Sequence, residues 1–248
     1  MKKLIPIFAL FLIASCSRPL IVTQAGYTER RMSDTLKAFD PHIETIVKPY
    51  RDSMDAEMKQ VVAISDTILT KQMPESDLGN LLADILLDKA QQYSGRKVDV
   101  AVINFGGIRI SQLPKGNITR SHVFELMPFD NMLVLLEVDG ATLTKLFDRM
   151  AGAGGVPVSG ASYAIRSDKT CTNIMVQGVA IDMNKKYTLA ISDYLANGGD
   201  KLDMLKGIPQ IQTNKLLRDA FMEGFMDMNA KGQHIKSIRD GRVKLITE

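Results

Sequence analysis

Three stretches of the chain hold residue types that can do chemistry at a spacing that keeps them together. In Asn104-Phe105-Gly106-Gly107-Ile108-Arg109, an apolar run ends in two glycines and then presents an amide and a guanidinium. Glycine frees the backbone for unusual dihedrals and for close approach of a ligand. Arginine offers a planar fork of donors that suits a phosphate. The same residues also fit a tight turn with a surface arginine. The spacing matches neither the dinucleotide fingerprint nor a phosphate loop ending in Gly-Lys-Ser/Thr. In residues 192–200, a β-rich run enters a Gly198-Gly199 turn flanked by Tyr194 and Asp200. An aromatic face stacks on bases, and a carboxylate accepts hydrogen bonds from vicinal hydroxyls, as in ribose recognition. A hairpin turn with a packed tyrosine is the plainer alternative. In residues 75–84, Gly79 interrupts a strong helical pattern at a cost of about 1 kcal/mol relative to alanine. Such a glycine admits close approach of another segment, most simply in helix–sheet packing.

The elements that must carry these stretches follow from periodicity. Apolar residues Ile43, Ile46, Val47, Tyr50, Met54 and Met58 form one helical stripe over residues 41–59, interrupted by Pro49. Residues 61–69 have strand character. A helix is predicted from Ser76-Asp77 to about Gln92, and a strand over 97–104 leads into the first glycine turn. Ser121 is expected to cap a short helix ending near Glu125. Residues 132–138 (MLVLLEV) read as a buried strand, and 141–150 as a helix with Leu143, Leu146, Phe147 and Met150 facing inward. A glycine-rich loop over 152–160 is followed by strands over 163–166, 174–179 and 186–192. Residues 213–229 are predicted to form the last helix. A terminal strand over 235–245 is broken at Asp240-Gly241. Helices and strands alternate irregularly, which defines a single mixed α/β domain of the α+β class rather than a doubly wound sheet.

Composition narrows the function classes. Hydrophobic residues at 45% and charged residues at 24% exclude a disordered polymer, a fibre and a multi-span membrane protein. Lys plus Arg at 31 against Asp plus Glu at 28 gives a net charge of +3, with no basic run suited to nucleic acid. Three His and two Cys leave little material for a metal site with N/S ligands.

The N-terminus reads as an address. Lys2 and Lys3 precede an apolar run over residues 4–13, which is too short to span a bilayer and reads as a secretory h-region. Ile13-Ala14-Ser15-Cys16 resembles a bacterial lipobox, which implies a lipid on Cys16; a plain secretory signal with an incidental Cys16 is the alternative. The expected organisation is a lipoprotein signal peptide over 1–15, a tether over 16–38 and the domain over 39–248. The expected location is the bacterial cell envelope, lipid-anchored on a periplasmic or outer-membrane surface.

Taken in order, the segments ESDLGNLLAD (75–84), VAVINFGGIR (100–109), LMPFDN (126–131) and ISDYLANGGD (191–200) closely resemble the C-terminal domain of the 5′-nucleotidases, a family that includes UDP-sugar hydrolases and 2′,3′-cyclic phosphodiesterases. Weaker agreement covers KPYRDSMDAEM (48–58) and GRVKL (241–245). The resemblance implies a base held between Phe129 and Tyr194, with Asn131 on its edge. It implies Asp200 on the ribose hydroxyls and Arg109 on phosphate, with Asn104 as neighbour at the strand end. Relatives carry further arginines before the first segment. Here Lys71-Gln72-Met73-Pro74 stand instead, and Lys71 offers a point charge without the fork.

In that family hydrolysis belongs to a separate metallophosphoesterase domain with two metal ions and an activated water. Asp40-Pro41-His42 reads as a helix cap, His122 as a first-turn surface residue and His234 as loop. There is no G-x-S-x-G elbow. Among Asp182, Asp193, Asp200 and Asp203, turn roles and one ribose ligand are expected. The resemblance therefore implies a nucleotide- or nucleoside-recognition component with no catalytic residue, metal ligand or cofactor in this chain. A separately encoded metallophosphoesterase partner would bring two divalent ions, and the isolated chain would be inactive. The competing readings are a surface nucleotide- or nucleoside-binding lipoprotein without an enzymatic partner, and a structural remnant that kept only the fold.

Overall fold

The computed structural model describes Gly26 and residues 40–247. Cys16, the signal segment and nearly all of the tether lie outside the described residues. The chain divides into two units, one ending at Val47 and one covering Lys48–Glu248. Helix α1 (Pro41–Met58) begins where Asp40 Oδ1 accepts the N–H groups of His42 at 2.9 Å and Ile43 at 3.4 Å. Asp40 is thus a helix cap, as its sequence context indicated. No residue of α1 is buried, and the stripe from Ile43 to Met54 is exposed.

In the second unit, β1 (Val61–Ser65) and β2 (Leu69–Thr70) replace the one predicted strand. They pair with β5 (Gly116–Thr119) and β4 (Gln112–Leu113), respectively, in two small antiparallel ribbons. Helix α2 (Asp77–Ser94) is capped by Ser76, whose Oγ accepts the Gly79 N–H at 3.0 Å, and it ends at Gly95 in the left-handed region (φ 64°). Strand β3 (Val100–Val102) follows. Helix α3 (Arg120–Leu126) starts two residues earlier than a Ser121 cap implied. Thr119 is its cap, and His122 Nδ1 accepts the Thr119 N–H at 3.0 Å. His122 thus closes a reciprocal capping box rather than lying idle on the surface.

Strand β6 (Met132–Asp139) lies second in a five-stranded sheet, order β12-β6-β11-β3-β7, completed by β7 (Val158–Ser159), β11 (Lys186–Ser192) and β12 (Gln210–Leu216). A second sheet, order β10-β9-β8-β13, is formed by β8 (Ala161–Ile165), β9 (Cys171–Val176), β10 (Val179–Ala180) and β13 (Val243–Leu245). Period-two alternation explains the unbroken apolar run of β6. Leu133 and Leu135 pack into one core with α2 and α6 (Leu217–Ala230). Val134, Leu136 and Val138 pack into the other with Leu143, Leu146 and Phe147 of α4 (Gly140–Gly152) and the second sheet. Covered on both faces from Leu133 to Leu136, the strand places polar side chains only near its end, at Glu137 and Asp139.

Two predicted elements are corrected. Residues 213–216 are not helical: they finish the edge strand β12, which pairs antiparallel with β6 through a register shift between Gln212 and Leu216. Asn214 takes a left-handed conformation there (φ 57°), so pairing with β6 overrides the helical pattern that continues into α6. The terminal strand shrinks to β13, parallel to β8, while Ile235 forms an isolated bridge to Ser65.

Candidate functional site

Topology alone gathers the chemistry-bearing turns. Strands β3 and β11 are parallel neighbours, so their C-terminal ends lie side by side. Strand β6 runs antiparallel to β11, so its beginning lies at that same edge. The turn after β3, the loop before β6 and the turn after β11 therefore meet. They are displayed by a rigid, doubly covered sheet, which is the arrangement that lets loops carry function.

At that edge a cavity of about 370 Å3 is lined by Asn104, Gly106, Gly107, Arg109, Phe129, Asn131, Tyr194 and Asp200. All six residues singled out from the sequence line it. Phe129 and Tyr194 keep 40% and 47% of their surface exposed, which leaves ring area available to a ligand. Tyr194 does pack on its own turn, but only on one side, and the rest of its ring stays exposed.

The polar groups are pre-arranged. Asp200 Oδ2 accepts the Asn104 Nδ2–H at 2.8 Å, and its Oδ1 accepts the Tyr194 hydroxyl at 3.0 Å. Asp200 itself is left-handed (φ 54°), following Gly198 at φ 91°. Gly199 has no room for a side chain: a Cβ there would stand 2.5 Å from the Tyr194 ring. The ring lies against bare backbone, with its hydroxyl on Asp200. At Gly107 a Cβ would meet Asn104 Oδ1 at 2.6 Å, so the first glycine turn also exists to seat a neighbouring side chain.

Arg109 stands with its guanidinium 5.6 Å from the Phe129 ring centroid, a cation–π distance, and donates to the Gly106 carbonyl at 3.3 Å. Lys71 donates to the Ile108 carbonyl at 2.6 Å and sits 4.0 Å over the Phe105 ring. Burial, and then the nearby Arg109 charge, hold the Lys71 ammonium below its ordinary pKa. Two cations therefore crowd one corner, an arrangement that an anion relieves.

A larger, more apolar cavity of about 430 Å3 adjoins the first, sharing Asn104, Gly106 and Asp200 as a wall. Met73, Val102, Phe105, Met150 and Leu202 line it. Arg149 Nε donates to the Asp200 carbonyl at 3.2 Å. Phe105, which in the sequence only broke a strand pattern, is here both a wall and a platform for Lys71.

Segment 75–84 lies outside both cavities and acts as a strap. Glu75 Oε1 accepts Asn80 Nδ2–H at 2.7 Å and the backbone N–H groups of Asp240, Gly241 and Arg242 at 3.1–3.3 Å. Asp84 takes Arg242 at 2.6 and 3.2 Å, and Asp77 takes the Ser237 hydroxyl at 2.7 Å. Gly79 faces Pro157, whose Cγ would be 2.7 Å from an added Cβ. This helix therefore packs against the approach to β7, in line with the plainer reading of Gly79.

The histidines are dispersed. His42 is in α1, His122 closes the capping box and His234 pairs with Asp66 at 2.8 Å. Among the described residues no three of His, Cys, Asp and Glu are placed to hold a metal ion. Cys171 is half-buried, and its thiol is pushed up to about 12 by burial and then by Asp148. Among the described residues no helix is long and apolar enough to cross a membrane.

A mixed sheet carrying two glycine turns and an aromatic pair at one edge is the fold of a known family. The family model described as "5′-nucleotidase, C-terminal domain" matches residues 56–207, and the chain belongs to that family. It is 24% identical over 243 residues to the 5′-nucleotidase of Homo sapiens, covering 84% of this chain and 41% of the relative. It is 28% identical over 224 residues to Protein UshA of Yersinia enterocolitica, covering 87% and 38%. The crystal structure of a 5′-nucleotidase precursor from Thermus thermophilus superposes with a TM-score of 0.72 at 26% identity, covering 84% of this chain and 43% of that one. The chain thus spans about two fifths of the length of the curated relatives it matches.

Proposed function

We propose that this chain is the nucleotide-recognition component of a 5′-nucleotidase-type phosphohydrolase. The base is stacked between Phe129 and Tyr194 with Asn131 at its edge, the ribose hydroxyls donate to Asp200, and the phosphate faces Arg109 and Lys71. Asn104 holds the Asp200 carboxylate in place. The observation that carries this reading is the convergence of Asn104, Arg109, Phe129, Asn131, Tyr194 and Asp200 on one cavity. The chemistry is coherent: flat rings give affinity for any base, while the polar groups fix orientation.

In this reading hydrolysis belongs to a separately encoded metallophosphoesterase, which would hold two divalent ions and supply the activated water. This chain binds and orients the substrate and moves no proton. In this reading the lipid on Cys16 anchors the chain in the bacterial envelope.

Calorimetric titration with AMP tests the recognition role. The chain binds AMP, and Tyr194→Ala weakens binding by the ~1–3 kcal/mol typical of one base stack. Asp200→Ala weakens adenosine binding more than binding of 2′,3′-dideoxyadenosine, which loses only the support that Asp200 gives the Tyr194 hydroxyl. The purified chain with Mn2+ and AMP shows no hydrolysis above background. Turnover that disappears on substituting a residue of this chain overturns the assignment of catalysis to a partner.

A further inference from the structure

The two walls of the slot come from loops 61 residues apart in sequence, yet one atom holds them both. Asp193 Oδ1 accepts the backbone N–H of Met132 at 3.1 Å and that of Tyr194 at 2.8 Å. Met132 directly follows Asn131, and Tyr194 carries one of the two rings.

The position of this oxygen follows from where the sheet stops. The β6–β11 ladder runs from Lys186↔Asp139 to Ser192↔Leu133. The next pair in register is Asp193 and Met132. There the chain leaves the sheet to form the single helical turn α5 (Asp193–Ala196), capped by Ser192 Oγ on the Leu195 N–H at 3.2 Å. The backbone carbonyl of residue 193 is committed to that turn and accepts the Asn197 N–H at 2.9 Å. The Asp193 side chain takes over the ladder for one more step. The other side of the same loop is held by the Leu217 N–H on the Asn131 carbonyl at 2.9 Å and by Arg218 on Asp130 at 2.7 Å. Asp193 is thus the one link in this set that joins the Phe129–Asn131 loop to the Tyr194 turn.

We propose that Asp193 is a positioning residue that sets the separation of the Phe129 and Tyr194 walls. It rests on the nucleoside reading above for its consequence, and on the two hydrogen bonds for its mechanism. It touches no ligand and acts through the two loops.

The test combines binding with a readout that needs no ligand. AMP affinity falls about tenfold in Asp193→Ala, the loss expected for one hydrogen bond to a charged group. Asp193→Asn keeps an acceptor oxygen at the same place and stays within about threefold of wild type. Asp193→Glu keeps the charge but moves it by one methylene, and behaves like Asp193→Ala. In a Tyr194→Ala background, where the slot has lost a wall, Asp193→Ala costs little more. A merely structural role instead gives losses that add. Independently, amide hydrogen exchange at Met132 and Tyr194 accelerates at least about tenfold in Asp193→Ala and in Asp193→Glu, and remains protected in Asp193→Asn. Unchanged protection at both amides in Asp193→Ala, or fully additive losses of affinity, overturns the proposal. If the wild-type chain fails to bind AMP, the nucleotide reading falls, and the exchange data still decide whether Asp193 couples the loops.

Discussion

Gly199 offers the sharpest test of how the slot is built. Its φ lies outside the left-handed region, so alanine fits the backbone there. The obstacle is the Tyr194 ring: three ring carbons would lie 2.5–2.7 Å from the new Cβ. Ordinary contact between carbons is near 3.5–4.0 Å, so the ring must retreat by about 1 Å. It cannot do so and keep its hydroxyl on Asp200, where the bond is 3.0 Å long. Gly199→Ala therefore removes one hydrogen bond, worth about 1 kcal/mol net, and tilts the ring out of parallel with a bound base, at a cost of ~1–3 kcal/mol. Together these predict an AMP dissociation constant raised about 30-fold to 1,000-fold. Stability should change by less than about 1 kcal/mol, because the ring is half exposed and swings into water rather than into the core. Isothermal titration with AMP and urea unfolding measure the two effects separately. Tyr194→Phe, which removes only the hydroxyl, accounts for the smaller share. An unchanged AMP affinity in Gly199→Ala shows that Tyr194 does not form a stacking wall, and the proposed mode of binding fails with it.

Gly79→Ala should show the opposite pattern. The added methyl meets the Pro157 ring and Ser76 Oγ at 2.7 Å, so overpacking of about 1–3 kcal/mol outweighs the ~1 kcal/mol gain in helix propensity. The urea midpoint falls while AMP affinity stays as it was. The strap has an acid limit. Hydrogen bonding to Arg242 holds the Asp240 carboxyl below its ordinary pKa of 3.8. Its contribution to stability is complete above that value and is lost as pH falls through the lowered one. The urea midpoint should drop below about pH 4, and Asp240→Asn should remove part of that slope. The Cys171 thiol, pushed up to about 12, should alkylate with iodoacetamide at about pH 8 far more slowly than an exposed cysteine. Asp148→Asn should partly restore the rate.

What the sequence made legible divides by the range of the interaction that decides it. Helix α2 and strand β6 follow from local pattern: Leu78, Leu82 and Leu86 recur along one face, and the run from Met132 to Leu136 is apolar on both of its faces. Strand β12 was not legible, because Gln210–Leu216 runs without punctuation into a true helix and only the register with β6 separates the two. The capping box at Thr119 hid behind Ser121, an equally good cap by residue type. At the site, Arg109, Tyr194 and Asp200 announce themselves by chemistry beside glycine turns. Phe129 and Asn131 do not, since Pro128-Phe129-Asp130-Asn131 is a loop with no period, and only the motif marked them. By sequence Asp193 is a turn residue, which is true of its backbone. Its side chain answers an amide 61 positions earlier, a fact that exists only once β6 and β11 lie side by side. The residues that line the slot are thus written in local motifs, while the acceptor that ties its two loops together is written in the register of the sheet. A slot of this kind can then be detuned without altering any residue that lines it, simply by moving the acceptor on which its two walls hang.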